Sequence, residues 1–139
     1  MKLRLGVVDV PYADTGHATT TGDVAGFLEN EYHVMQTFVD MHESGIESAI
    51  EGALSGALDD LLRGKPLSAN ILASAEQDIQ SEFRKFLTNE EMAGKKGIPT
   101  KAALEGRSKR FKRLRGPRRP SFIDTGMYEK SFTAVFVDE

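Results

Sequence analysis

Two runs of helical periodicity, separated by a four-residue stop, frame what this chain can fold into. From Val39 to Leu62, the residues Ile46, Ala49, Ile50, Ala53, Ala57, Leu58 and Leu61 recur at three- and four-residue spacing. That spacing gathers them on one side of a long helix. Arg63-Gly64-Lys65-Pro66 then ends it, because glycine suits the left-handed position after a helix and proline cannot continue one. Ser68 can cap a second helix running to about Leu87, with Leu72, Ala75, Ile79, Phe83 and Phe86 as its apolar stripe. So short a connection makes the two helices antiparallel neighbours. Gly45, Gly52 and Gly56 fall off the first stripe, beside Ser48 and Ser55. Each interior glycine costs roughly 1 kcal/mol against alanine. They are either tolerated defects of a solvated surface or a small-residue face for another backbone.

The ends of the chain read as strands. Leu3, Leu5 and Val7 alternate with other residues before Pro11 stops the run, and Phe132, Ala134 and Phe136 alternate with Thr133, Val135 and Val137. The second run has both faces at least partly covered. Between the first strand and the long helix, Tyr12 to Gly22 reads as a turn-forming loop. Thr21-Gly22-Asp23 can cap a short helix carrying Val24, Ala25, Phe27 and Leu28 on one side, followed by the polar cluster Glu29-Asn30-Glu31. His33 to Phe38 fits an extended link or a strand. The expectation is one α+β domain over residues 1–139. Its small antiparallel sheet, which includes the N- and C-terminal strands, packs on two long antiparallel helices, with a long basic loop at 88–120.

Charge is divided unevenly. The chain has 18 Lys or Arg and 21 Asp or Glu, a net of −3. From Lys95 to Arg119 stand 11 of those bases and one acid, Glu105, a local net of +10; the remaining 7 bases and 20 acids give −13. Such a split speaks of partners, and one use of it is a head-to-tail contact between copies. Thr88 to Pro120 holds no sustained period and is too long for an ordinary connection. The basic arm 95–119 is therefore expected to be mobile alone and ordered on assembly. Within it Arg107, Lys109, Arg110, Lys112, Arg113, Arg115, Arg118 and Arg119 are the candidate contacts. They suit an acidic protein surface, or DNA phosphates with Phe111 stacking on a base, or simple solvation. Gly116-Pro117 prevents one continuous recognition helix.

Catalytic motifs are weak. Asp-Thr-Gly occurs at Asp14-Thr15-Gly16 and at Asp124-Thr125-Gly126. Aspartic proteases pair two such triplets so that two carboxylates share a proton. Here the first lies in a polar loop and the second leads into a helical turn. There Asp124 can accept from the amides of Gly126 and Met127, so Asp124, Thr125 and Gly126 read as a structural cap. His17, His33 and His42 lack the four-residue spacing that puts two ligands on one helical face. With no cysteine in the chain, a disulfide framework or a cysteine-ligated metal is impossible. No catalytic residue, metal or cofactor is expected, nor a membrane span, since no apolar run approaches the ~18 residues required. No signal peptide is expected either, because the opening Met-Lys-Leu-Arg-Leu reaches Asp9 and Pro11 without an apolar stretch.

Phe122-Ile-Asp-Thr-Gly-Met-Tyr-Glu-Lys-Ser-Phe-Thr-Ala-Val-Phe136, behind a basic, proline-containing loop, resembles the tail-completion or neck proteins of tailed bacteriophages. This is the head–tail joining, virion-morphogenesis family. Asp124, Thr125, Gly126 and Ser131 stand at the matching positions. Gly6-Val7-Val8, Thr19-Thr20-Thr21 and Val24-Ala-Gly-Phe-Leu-Glu29 are similar to the family's first strand, Thr-rich hairpin and short helix. Of its Pro-x-Arg-Pro-Phe, this chain keeps only Phe38. The resemblance implies a non-enzymatic structural protein of the virion, present in the host cytoplasm during assembly. Six copies would form a ring around a channel that DNA traverses. Its partners would be head-closure or connector proteins on one side and the tail terminator or tail tube on the other. The alternative is a small nucleic-acid-binding protein using the arm 95–119.

Overall fold

The first and last strands of the chain pair with each other. β1 (Lys2–Val7) and β2 (Phe132–Val137) run antiparallel, with Leu3 opposite Phe136, Leu5 opposite Ala134 and Val7 opposite Phe132. In this computed structural model the described residues are 1–11, 19–106, 116–123 and 126–138. Between the strands come α1 (Thr21–Tyr32), α2 (Val34–Leu62), α3 (Ala73–Thr88), α4 (Lys101–Glu105) and α5 (Met127–Ser131). The architecture is α+β, as the periodicities require.

The core is aromatic. Phe83 on α3 stacks on Phe132 of β2 with centroids 3.8 Å apart, and Phe38 of α2 meets Phe83 edge-on at 5.3 Å. Phe86 closes the group at 5.5 Å from Phe38. All four rings are buried, and offset or edge-on pairs add about 0.5–1.5 kcal/mol each beyond their buried area. Every residue of the expected α3 stripe is buried: Leu72, Ala75, Ile79, Phe83 and Phe86. Phe86 sits near Phe38 and His42, while Leu72 and Ala75 pack with Ala53. The two helices are therefore antiparallel.

α2 is longer than its periodicity suggests. It starts at Val34, so that of the stretch 33–38 all but His33 is helical, neither an extended link nor a strand. His33 forms the corner between α1 and α2 with φ 52°, serving as the C-terminal cap of one and the N-terminal cap of the other. Its side chain caps nothing. Both oxygens of Glu29 instead accept from Met35 N at 2.8 Å and Gln36 N at 3.1 Å. A carboxylate on the orphan amides of a helix start is favourable through hydrogen bonding and the helix dipole. α2 then bends at His42, whose φ of −116° departs from helix.

At the other end, Leu58 and Leu61, placed on the buried stripe by spacing, are more than half exposed. α3 begins too late to cover them. Gly45, Gly52 and Gly56 have nothing within 4 Å of where a Cβ would stand, so among the described residues no backbone uses that clearance.

Two devices fasten the sheet. The Thr21 hydroxyl, fully buried, donates to Val8 O at 2.7 Å and accepts from Val10 N at 2.8 Å. This ties the end of β1 to the start of α1, where Thr20 and Asp23 complete a reciprocal cap. On the outer edge of β2, Glu76 accepts from Phe136 N at 3.0 Å and Gln80 donates to Ala134 O at 3.4 Å. Both come from one face of α3, four residues apart, and they occupy edge groups that would otherwise invite another strand.

Candidate functional site

The turn after α3 is the point on which the start of the basic segment is built. Asn89 N and Glu91 N bond back to Lys85 O and Phe86 O, ending the helix. Glu90 takes a left-handed conformation, φ 54°, which throws its side chain and that of Glu91 toward different partners. Glu91 Oε1 lies 2.9 Å from His42 Nε2, at the bend of α2. The imidazole stacks on Phe38 with centroids 5.0 Å apart and meets Phe86 edge-on at 5.8 Å. Glu90 receives Arg118 through two nitrogens, at 2.9 and 3.1 Å.

Beyond this turn the chain is folded, not free. Met92, Ile98 and Ala103 are buried, and α4 is capped by the Thr100 hydroxyl, which accepts from Ala103 N. The Ser121 hydroxyl accepts in turn from Thr100 N at 3.0 Å. The described parts of the arm expected to be mobile, 95–106 and 116–119, make these contacts with the body. Met92, Ile98 and Ala103 are too widely and irregularly spaced to show a period, yet all three are buried, Met92 and Ile98 in the cluster that holds Phe86 and Leu87.

The two limbs of the segment then close on each other. Gly116 N donates to Glu105 O at 2.9 Å, and Arg119 N to Ala103 O at 3.1 Å. Gly106 has φ 60°, and a Cβ there would collide with the carbonyl of Gly116 and with Pro117 O. Only glycine fits at this point, both for its left-handed backbone and for the close approach. The described limbs on either side, ending at Gly106 and beginning at Gly116, thus meet at a single neck.

Of the candidate contact residues, Arg107, Lys109, Arg110, Lys112, Arg113 and Arg115 lie outside the described residues. Arg118 and Arg119 lie inside, and they belong to the body. Arg118 holds Glu90. Arg119 donates from Nε to Ile123 O at 2.8 Å and from Nη1 to Ala102 O at 3.1 Å. That guanidinium joins the end of α4 to the strand of chain before α5, so Arg119 is a brace and not an open contact. Asp124 and Thr125 are likewise outside the described residues, as are Asp14-Thr15-Gly16 and His17. Gly126 is left-handed, φ 78°, and directly precedes α5.

The remaining chemistry is structural. Among the described residues no group of three metal-ligating side chains comes together, and no helix is long and apolar enough to cross a membrane. Hydrogen bonds from Thr20 and Gly22 hold the Asp9 carboxyl below the usual carboxylate value of 3.8. Burial pushes the Tyr128 phenol well above its ordinary value, with the charge of Glu29 adding to the effect. The Tyr128 hydroxyl has no hydrogen-bond partner among the described residues. Sequence reasoning passed over Glu29, Glu76, Glu90 and Glu91. Each acts across a long gap or around a corner, and the one local signal was the polar run Glu29-Asn30-Glu31 at a helix junction.

Comparison with protein-family models, with curated proteins and with solved structures finds no match for this chain.

Proposed function

We propose that this chain is a structural protein of the neck of a tailed bacteriophage, a ring-forming piece that joins the head and its connector to the tail. The observation that carries the reading is the order of elements. A first strand, a short helix, a long helix, a second helix and a basic segment, followed by the residues Asp124-Thr125-Gly126, lead into a final strand that pairs with the first. That order agrees with what the resemblance at Phe122 to Phe136 implies. On this reading the protein is not an enzyme. Six copies stand side by side around a channel, between head-closure or connector proteins and the tail terminator or tube. The neck at Gly106 and Gly116 suits such a piece, because it fixes the base of a strongly cationic segment at one place on each copy. Complementary charge on different sides of a subunit suits the head-to-tail interfaces of a closed ring.

Electron microscopy of the particle that carries this protein tests the reading. The expected result is a ring of copies at the head–tail junction. Particles that assemble, join tails and infect normally without the protein would overturn it.

The six bases between Arg107 and Arg115, flanked by limbs that meet at Gly106 and Gly116, favour a second reading as a nucleic-acid-binding protein. Several phosphate contacts would make DNA affinity fall by orders of magnitude between low and moderate salt. A flat salt dependence would exclude it.

A further inference from the structure

The closed end of the α2–α3 hairpin is unusually apolar for a surface. Leu54, Leu58, Leu61, Leu62, Leu67 and Ile71 are all exposed, Leu62 to 79%. The packing explains why nothing among the described residues covers them. The first buried residues at the start of α3, the N-cap Leu72 and Ala75, pack with Ala53, so the later turns of α2 and the following loop project past the core. On α2 itself Leu54, Leu58, Leu61 and Leu62 fall on one helical face, and a run of exposed leucines on one face marks a docking site more often than a free surface. Helix propensity does not require it, since Lys, Gln or Glu would form these turns as well as Leu.

Charge says what docks there. From Val34 to Leu62, α2 carries six acids and no Lys or Arg. Glu43, Glu47 and Glu51 are exposed at four-residue spacing, make no ion pair among the described residues, and lead on one helical face into Leu54, Leu58 and Leu62. The far end of the molecule has the opposite character. Lys95, Lys96 and Lys101 are exposed, none in an ion pair among the described residues, and Leu104, one turn from Lys101, is 48% exposed.

We infer that the hairpin end and acidic stripe of one copy dock on the Lys95–Leu104 end of a second copy, head to tail. The inference rests on the reading that the chain self-assembles, and names the two surfaces that do it. Two hairpin ends packed against each other would also bury leucines. That arrangement brings the acidic stripes of both copies together and leaves the lysines unmatched. The head-to-tail contact sets carboxylates on lysines and leucines on leucine at once. Such a contact repeats from copy to copy, so it builds rings or filaments and not closed pairs.

The chain has no cysteine, which permits a direct test by disulfide trapping. L58C and L104C are made separately, and each is checked for the wild-type circular dichroism spectrum. They are then oxidised gently alone and mixed, with L61C replacing L58C should the latter fold poorly. The mixture is expected to give L58C–L104C dimers, each variant alone to stay largely monomeric, and an L58C/L104C double variant to give a ladder of multimers. Adding E47K and E51K to the L58C chain, or raising salt to about 1 M, should lower the mixed yield roughly threefold or more. L58C linking to itself as fast as to L104C would overturn the head-to-tail mode while leaving self-assembly standing. No cross-link in any sample would overturn both. A mixed yield indifferent to charge reversal and to salt would overturn the assignment of the lysine end.

Discussion

Arg118 grips Glu90 with two hydrogen bonds across 28 residues of sequence, and one residue further on Glu91 meets His42. Two neighbouring carboxylates thus tie the return limb of the basic segment and the bend of α2 to the same turn. Arg118 is half-exposed, so screening keeps the pair modest. Arg118→Lys, which cannot make the fork, should lower stability by under about 1 kcal/mol. The loss should shrink further in high salt, as read from urea midpoints at two ionic strengths.

Gly106 is a stricter point. Gly106→Ala places a Cβ against the Gly116 carbonyl and demands a left-handed backbone from alanine. The backbone term alone costs roughly 1–2 kcal/mol. The neck should open before the core does. Amide exchange at Gly116 and Arg119, which bond to Glu105 O and Ala103 O, should accelerate while Phe83 and Phe86 keep their protection.

Glu76 closes the sheet edge. Glu76→Ala leaves Phe136 N without its side-chain partner and also frees Asn70. The expected loss is about 1–3 kcal/mol in denaturant midpoint, with a rise in concentration-dependent aggregation from the uncovered edge. Glu76→Gln, which keeps an acceptor, should recover most of the stability.

Tyr128 buries a hydroxyl that bonds to nothing among the described residues. Tyr128→Phe removes a desolvated polar group, so stability near neutral pH should hold or rise by about 1 kcal/mol. The phenol pKa is raised in the folded state. The wild type should therefore lose stability as pH climbs beyond about 10, the unfolded tyrosine value. The phenylalanine variant should lack that limb of the profile.

Asp9 titrates with the opposite sign. Its carboxyl sits below 3.8 in the folded protein through Thr20 and Gly22, so its contribution is complete above that value and fades as pH falls through it. The stability difference between wild type and Asp9→Asn should be constant at neutral pH and shrink in acid below about pH 4.

How far the sequence could be read followed the range of each interaction. The α3 stripe from Leu72 to Phe86, the pairing of first and last strands, and the stop at Gly64 were legible because period and turn chemistry are local. The α1 cap at Thr20 and Asp23 was legible to within a residue for the same reason. The stretch 33–38 was not, because its helix is capped by Glu29 from around a corner. Nor was the packing of Met92 and Ile98, whose spacing carries no rhythm and whose places exist only once Phe86 and Phe122 are set. At the site, composition identified a cationic segment but could not separate Arg118 and Arg119 from the rest. Their partners, Glu90 and the carbonyls of Ala102 and Ile123, are fixed by the tertiary structure.

Because Glu105 and Gly116 already clasp each other, the two ends of the chain between them are held together at one point of the body. Doubling such a span adds only about 0.6 kcal/mol of closure entropy. Lengthening the chain between Glu105 and Gly116 is therefore entropically cheap, and the clasp gives an engineer a fixed anchor from which to vary it.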